Sequence, residues 1–461
     1  MKLAFVAASG AFLVACSEKP PEQKPLAELK SNPFPSTYQP LPSVATVIKN
    51  VTILDGLGGL IENGMLLMQD GDIKAVGQTV SIPQDAKVID GSGKWVTPGI
   101  IDTHSHLGVY PTPDVNAHSD GNEATKPVTA EVWAEHAVWP QDAGFSAALA
   151  GGITSLQILP GSANLVGGRT VTLKNVPNRS VQEMKFPEAP HGLKMACGEN
   201  PKRVYGEKGG PSTRMGNVAG YRQAWIDAQE YKKKWDDYRE KHANGENVEP
   251  PKQDLKLDTL AGVLNGEIKV HMHCYRADEM MVMMDVMKEF DYQISSFHHA
   301  VEAYKIADTL AENNVCASMW ADWWGFKMEA YDAIQENIAL VHQAKACAIV
   351  HSDSDLGIQR LNQEAAKVLG NAHRAGISIS RADAWQWLSA NPAKSMGVFD
   401  KTGSLEAGKD ADVVLWSGDP FSTYTLAEHV YIDGALVYDA NNPDIWPVSD
   451  FEVDQPGEGE R

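Results

Sequence analysis

Between residues 96 and 399 the chain repeats one pattern, a short apolar run followed by a longer stretch of helical character. Runs of this kind occupy residues 153–159, 193–197, 268–273, 295–299 and 347–353, and helix-like stretches such as 300–313 and 360–375 separate them. Short apolar runs that alternate with helices predict an α/β protein built on a parallel sheet. A repeat of this length closes into a (β/α)8 barrel of the TIM type, whose active groups collect at the C-terminal ends of the strands.

The flanks read differently. Residues 45–95 form short β-runs broken at Asp55-Gly56, Asp70-Gly71 and Asp90-Gly91, and residues 400–445 repeat the style with Asp433-Gly434. Asp-Gly steps between alternating runs are hairpin signals. Two β-rich ends around a long middle predict one small β-sandwich (45–95 and 400–445) built from both termini around a barrel at 96–399. An acidic tail follows at 446–461.

The start of the chain, 1–16, has one basic residue, a short apolar stretch and small residues, as a signal peptide does. Leu13-Val14-Ala15-Cys16 resembles a bacterial lipobox. The resemblance implies an exported protein held to a membrane only by lipid on Cys16, and Ser17 points to the outer membrane. Residues 17–44, rich in Pro, Lys and Glu, read as a flexible tether. No later stretch is apolar for long enough to span a bilayer.

Sixty acidic against 40 basic residues leave no face able to neutralise phosphates, which excludes nucleic acid as a partner. Beyond Cys16 the cysteines are Cys197, Cys274, Cys316 and Cys347, with no C-x-x-C spacing, and they read as buried, unpaired thiols. The highly charged stretch 220–256 reads as an exposed helical insertion near the barrel mouth.

Chemistry collects at the ends of the apolar runs. His104 and His106 end the first, His271 and His273 another, His298 and His299 the next, and Asp353 closes 348–353. Side chains alternate along a strand, so an H-x-H pair at a strand end aims both rings at one spot. One such pair is more often structural than metal-binding. Four such ends in succession are hard to leave buried without partners, and they point to a divalent metal. The glycine-rich stretch 161–170 has Arg169 where a phosphate-binding loop needs Lys, and the spacing is wrong; it reads as a barrel loop over the site.

Val96-Thr97-Pro98-Gly99-Ile100-Ile101-Asp102-Thr103-His104-Ser105-His106 resembles the first-strand signature of the amidohydrolase superfamily. Asn391-Pro392-Ala393-Lys394 with the stretch from Gly403 to Asp412 resembles its closing signature. Leu159-Pro160-Gly161-Ser162-Ala163-Asn164 and Gly198-Glu199-Asn200-Pro201-Lys202-Arg203 are similar to the imidazolonepropionase-like group. The resemblance implies metal ligands at His104, His106, His271, His298 and Asp353, with His273 beside them and His299 in place of a glycine. On the fourth strand it implies either a carboxylated Lys194 or Glu199, with Glu199 slightly preferred because a carboxylate needs no CO₂ chemistry. One or two ions are implied, with zinc expected.

Such a cation would lower the pKa of a bound water toward neutrality. Asp353 can take the proton and return it to a leaving nitrogen, while His298 or His273 polarises the carbonyl. Arg169, Arg203, Arg214 and Arg276 are candidates to hold a substrate carboxylate. The expected activity is hydrolysis of a C–N bond in a small molecule or small peptide: an amide, a peptide or a cyclic amide. Imidazolonepropionate itself fits an exported chain poorly. The alternatives are a deaminase of a small heterocycle and a non-catalytic lipoprotein that binds metal or solute. A homo-oligomer is compatible with either reading.

Overall fold

A computed structural model describes residues 23–29 and 32–446. Cys16, with the stretch that resembles a lipobox, and the residues beyond Trp446 lie outside the described residues. The strands in chain order begin with β1 (Thr46–Leu54), β2 (Leu60–Gln69), β3 (Asp72–Gly77), β4 (Lys87–Asp90) and β5 (Trp95–Pro98). Next come β6 (Ile100–Ser105), β7 (Ile153–Ile158), β8 (Val166–Lys174), β9 (Gly192–Ala196) and β10 (Lys269–His273). The series ends with β11 (Ile294–His298), β12 (Cys316–Met319), β13 (Ala348–Val350), β14 (Val413–Trp416), β15 (Ala427–Ile432) and β16 (Ala435–Asp439).

Strands β6 to β13 form one eight-stranded sheet in sequence order. At its seam Asp353 N donates to His104 O at 3.0 Å, which joins the end of β13 to β6. The barrel differs from the expected all-parallel form in one strand. β8 runs antiparallel to both β7 and β9. A parallel crossover needs a dozen or more residues, and residues 159–165 between β7 and β8 are too few. The glycine-rich stretch expected to be one loop therefore divides: its first half turns the hairpin, and Val166 onward is strand β8.

Both ends of the chain meet in a second eight-stranded sheet, in the order β16-β15-β14-β5-β1-β2-β3 with β4 paired to β1. Its apolar core includes Ile48, Val51, Leu66, Val96, Val413 and Tyr431. The chain passes from this sheet to the barrel at Gly99. A Cβ there would lie 2.0 Å from Thr154 Oγ1, so no larger residue fits the crossing.

One buried cation ties the sheet to the barrel. Lys174 Nζ, at the end of β8, lies 2.7 Å from Asp410, 3.3 Å from Asp412 and 2.5 Å from Asp433. Burial opposes its charge, but the three carboxylates more than offset this and raise its pKa. Tyr38 adds a hydroxyl donated to Asp433 at 2.5 Å.

Three further expectations are corrected. The four cysteines are not free: Cys197 pairs with Cys274, and Cys316 with Cys347. Each bond joins neighbouring strands, which the sequence spacing hides. The described part of the tether is not loose. Ala27 N donates to Tyr238 Oη at 3.0 Å, Thr37 N donates to Gln182 O at 2.9 Å, and Tyr38 is buried. The charged insertion is helix Arg214–Ala243, whose Tyr221, Trp225, Tyr231, Trp235 and Tyr238 are buried, so only part of its surface is solvated. Among the described residues no helix is long and apolar enough to cross a membrane.

Candidate metal centre

The strand ends converge. His104, on β6, is wholly buried, while the His106 side chain keeps 21% exposure toward the mouth. His104 Nε2 lies 3.5 Å and His106 Nε2 3.3 Å from Asp353 Oδ1. Among the described residues these three form one group of ligand atoms within 4.8 Å of one another; His104, His299 and His351 form the other. His106 Nδ1 faces Leu159 O at 2.8 Å, which leaves Nε2 to point at the carboxylate.

Lys194 comes from the fourth barrel strand, where it is paired in register with His271. Its ammonium donates to Pro160 O at 2.9 Å and stands 3.5 Å from His104 Nε2. Complete burial brings its pKa down from 10.5 to about 7. Glu199, the other fourth-strand candidate, lies elsewhere. It begins helix Glu199–Tyr205, its backbone N–H donates to Glu329, and its carboxylate is 3.4 Å from Lys327.

His299 Nε2 approaches Asp353 Oδ2 at 3.7 Å, and its Nδ1 meets His351 Nε2 at 2.8 Å. His273 lies beside His299, with ring centroids 5.0 Å apart, and its Nε2 is 3.4 Å from Asn200 Nδ2. His298 and His271 belong to neither ligand group. His298 spends Nδ1 on His104 Nδ1 at 2.9 Å and Nε2 on His271 Nδ1 at 3.0 Å. Burial lowers the pKa of His104, His273, His298 and His299 well below the usual value, that of His271 to about 3 and that of His351 to about 4. All six rings are therefore neutral near pH 7, the form that binds metal.

The arginines expected to hold a substrate carboxylate are placed as follows. Arg214 pairs with Glu279 at 2.6 Å and Glu329 at 2.8 Å, and Arg276 pairs with Asp278 at 2.8 Å. Arg169 is buried, with its guanidinium 4.0 Å over the Trp133 ring and its Nε 2.8 Å from Thr259 Oγ1. Arg203 is exposed on helix Glu199–Tyr205. Aromatic residues pack around the histidines. Trp320 stacks on His299 at 4.4 Å, Tyr275 packs on His273 at 4.6 Å, and Lys327 lies 4.4 Å over Tyr275. His351, Trp320 and Lys327 escaped the sequence reading. His351 stands two residues before Asp353, and that spacing was its one local signal.

Residues 95–448 match the model of the amidohydrolase family. The chain belongs to the amidohydrolase family. Its members are hydrolases that act on carbon–nitrogen bonds. An amidohydrolase from Thermotoga maritima MSB8, known as a crystal structure, is 35% identical with a TM-score of 0.77, over 86% of this chain and all of that one. Amidohydrolase tasK of Hapsidospora irregularis is 31% identical over 401 residues, 82% of this chain. This chain spans 40% of that relative's length. An imidazolonepropionase of Mesorhizobium japonicum is 24% identical over 79% of this chain and 89% of its own.

Proposed function

We propose that this chain hydrolyses a C–N bond of a small molecule or small peptide, an amide, peptide or cyclic amide, at a divalent metal centre. The observation that carries the reading is the convergence of His104 Nε2, His106 Nε2, Asp353 Oδ1 and the Lys194 amine at one point. The neutral imidazole of His104, a carboxylate and a lysine whose pKa burial brings down to about 7 suit zinc. His104, His106 and Asp353 would hold one ion. Lys194 fits the bridging position in preference to Glu199, provided its amine carries a carboxyl group taken from CO₂. A second ion would draw on His299, with the His273 and His351 rings beside it.

A bound divalent cation makes water acidic enough to supply hydroxide near neutral pH and polarises a carbonyl oxygen. The protein groups do the rest. Asp353 accepts the proton of the attacking water and gives it to the leaving nitrogen as the bond breaks. His351 and Trp320 fix the ring of His299, and the aromatic wall of Tyr275 and Trp320 shields the reacting carbonyl from bulk water.

Export by a lipid on Cys16 is part of the same proposal, and the two disulfides support it, because such bonds persist in oxidising compartments. The reading is tested with zinc-reconstituted protein on a panel of dipeptides, N-acyl amino acids and lactams. Cleavage that a chelator abolishes and zinc restores supports it. Release of ammonia from heterocyclic amines alone would favour a deaminase, and no turnover with a full metal complement would favour a binding protein.

A further inference from the structure

His104, His298 and His271 lie in a line beneath the mouth. His104 Nδ1 is 2.9 Å from His298 Nδ1, and His298 Nε2 is 3.0 Å from His271 Nδ1. All three residues are completely buried. We infer that His298 and His271 are positioning residues, a hydrogen-bonded relay that holds His104 with the Nε2 lone pair turned toward Asp353 and Lys194. The inference rests on the metal-centre reading above and gives these two histidines a role other than that of ligands.

The direction of the relay follows from proton counting. A neutral imidazole carries one N–H. When His104 offers Nε2 to a cation its proton sits on Nδ1, and that N–H donates to His298 Nδ1. His298 then carries its proton on Nε2 and donates to His271 Nδ1. His271 is left with its proton on Nε2. Each ring thus has one allowed tautomer, and neither nitrogen of His298 is free for an ion. The relay ends at His271 Nε2, which is buried and has no hydrogen-bond partner among the described residues. Gly192 packs over this end: a Cβ there would lie 2.8 Å from His271 Cδ2 and 3.0 Å from Gln157 Nε2. The strand pairing supports the same division. Lys194 and His271 share one level of the barrel, and His273 and His298 share the next. His298 is turned inward on His104 and His271, whereas His273 faces Asn200 at the rim.

The test compares metal binding in His298→Phe, His298→Gln and His271→Gln with that of the parent, using His106→Ala as the control for a lost ligand. A positioning role predicts that His298→Phe still takes up the parent's equivalents of zinc at saturating ion, with affinity in chelator competition lower by about 10–100-fold. His298→Gln, whose amide oxygen can accept from His104 Nδ1, recovers part of that loss, and His271→Gln shows a smaller loss. The visible spectrum of the cobalt-substituted protein keeps the parent's intensity in all three. Should His298→Phe fail to fold, the two glutamine variants carry the same comparison. Loss of a whole equivalent with a changed cobalt spectrum, as in His106→Ala, would overturn the inference by making His298 a ligand. Unchanged affinity in the folded variants would overturn it by making the relay inert. If His106→Ala itself keeps the parent's zinc content, the metal-centre reading fails instead.

Discussion

Asp353 and His299 both hold a positive φ, 53° and 59°, in the left-handed region that side chains other than glycine seldom adopt. Such backbones cost about 1–2 kcal/mol each and persist where the surroundings require them. Here they turn a carboxylate and an imidazole toward the same point. Asp353→Asn keeps the shape but cannot take a proton, and it is expected to retain zinc while turnover falls by about 10²–10⁴. Unchanged turnover at full metal content would remove Asp353 from proton transfer. Lys194→Ala is expected to lose much of the bound zinc, with partial recovery in added short-chain carboxylates; elemental analysis with and without propionate checks it. His104, His106 and Asp353 were legible because their spacing from apolar runs needs no distant information. The ion pairs of Arg214 were not, since its partner Glu329 lies 115 residues away in sequence.

At the scale of elements, the strand–helix rhythm made the barrel legible, and one hairpin escaped it. A loop of glycine and small residues looks alike whether it leads to a helix or reverses the chain, and only the seven residues available between β7 and β8 decide for reversal. The cysteines show the same limit. Cys197 and Cys274 are 77 residues apart, yet they follow β9 and β10, neighbouring strands that carry Lys194 and His273. Closing a loop of that length stabilises a fold by about 4.5 kcal/mol in the chain-entropy account. Cys197→Ser with Cys274→Ser is therefore expected to lower the urea midpoint markedly and to weaken zinc binding, read by denaturation and chelator competition. A midpoint equal to the parent's would show that the bond adds nothing.

For the whole molecule, the joint between barrel and sheet depends on Lys174 and its three carboxylates. Removing one partner from a buried ion network costs about 3–5 kcal/mol, so Lys174→Met should lower the melting temperature while zinc content per folded chain stays near the parent's. Acid should act through buried imidazoles. Burial, aided by Lys185, lowers the pKa of His191 from 6.5 to about 3. Between those values the unfolded chain holds the proton and the folded chain does not, so its contribution to stability falls as pH drops below about 6.5. His271 and His351 act in the same direction. Urea titrations of the metal-free protein between pH 7 and 5 are expected to show a steady loss, and a flat profile would contradict neutral burial of these rings. The most direct test of the central claim is elemental analysis of protein purified without chelators. The account predicts about one to two tightly held divalent ions per chain, with zinc foremost, and loss of most of that metal in His106→Ala. A stoichiometric shortage of any divalent ion that added zinc does not correct would contradict it.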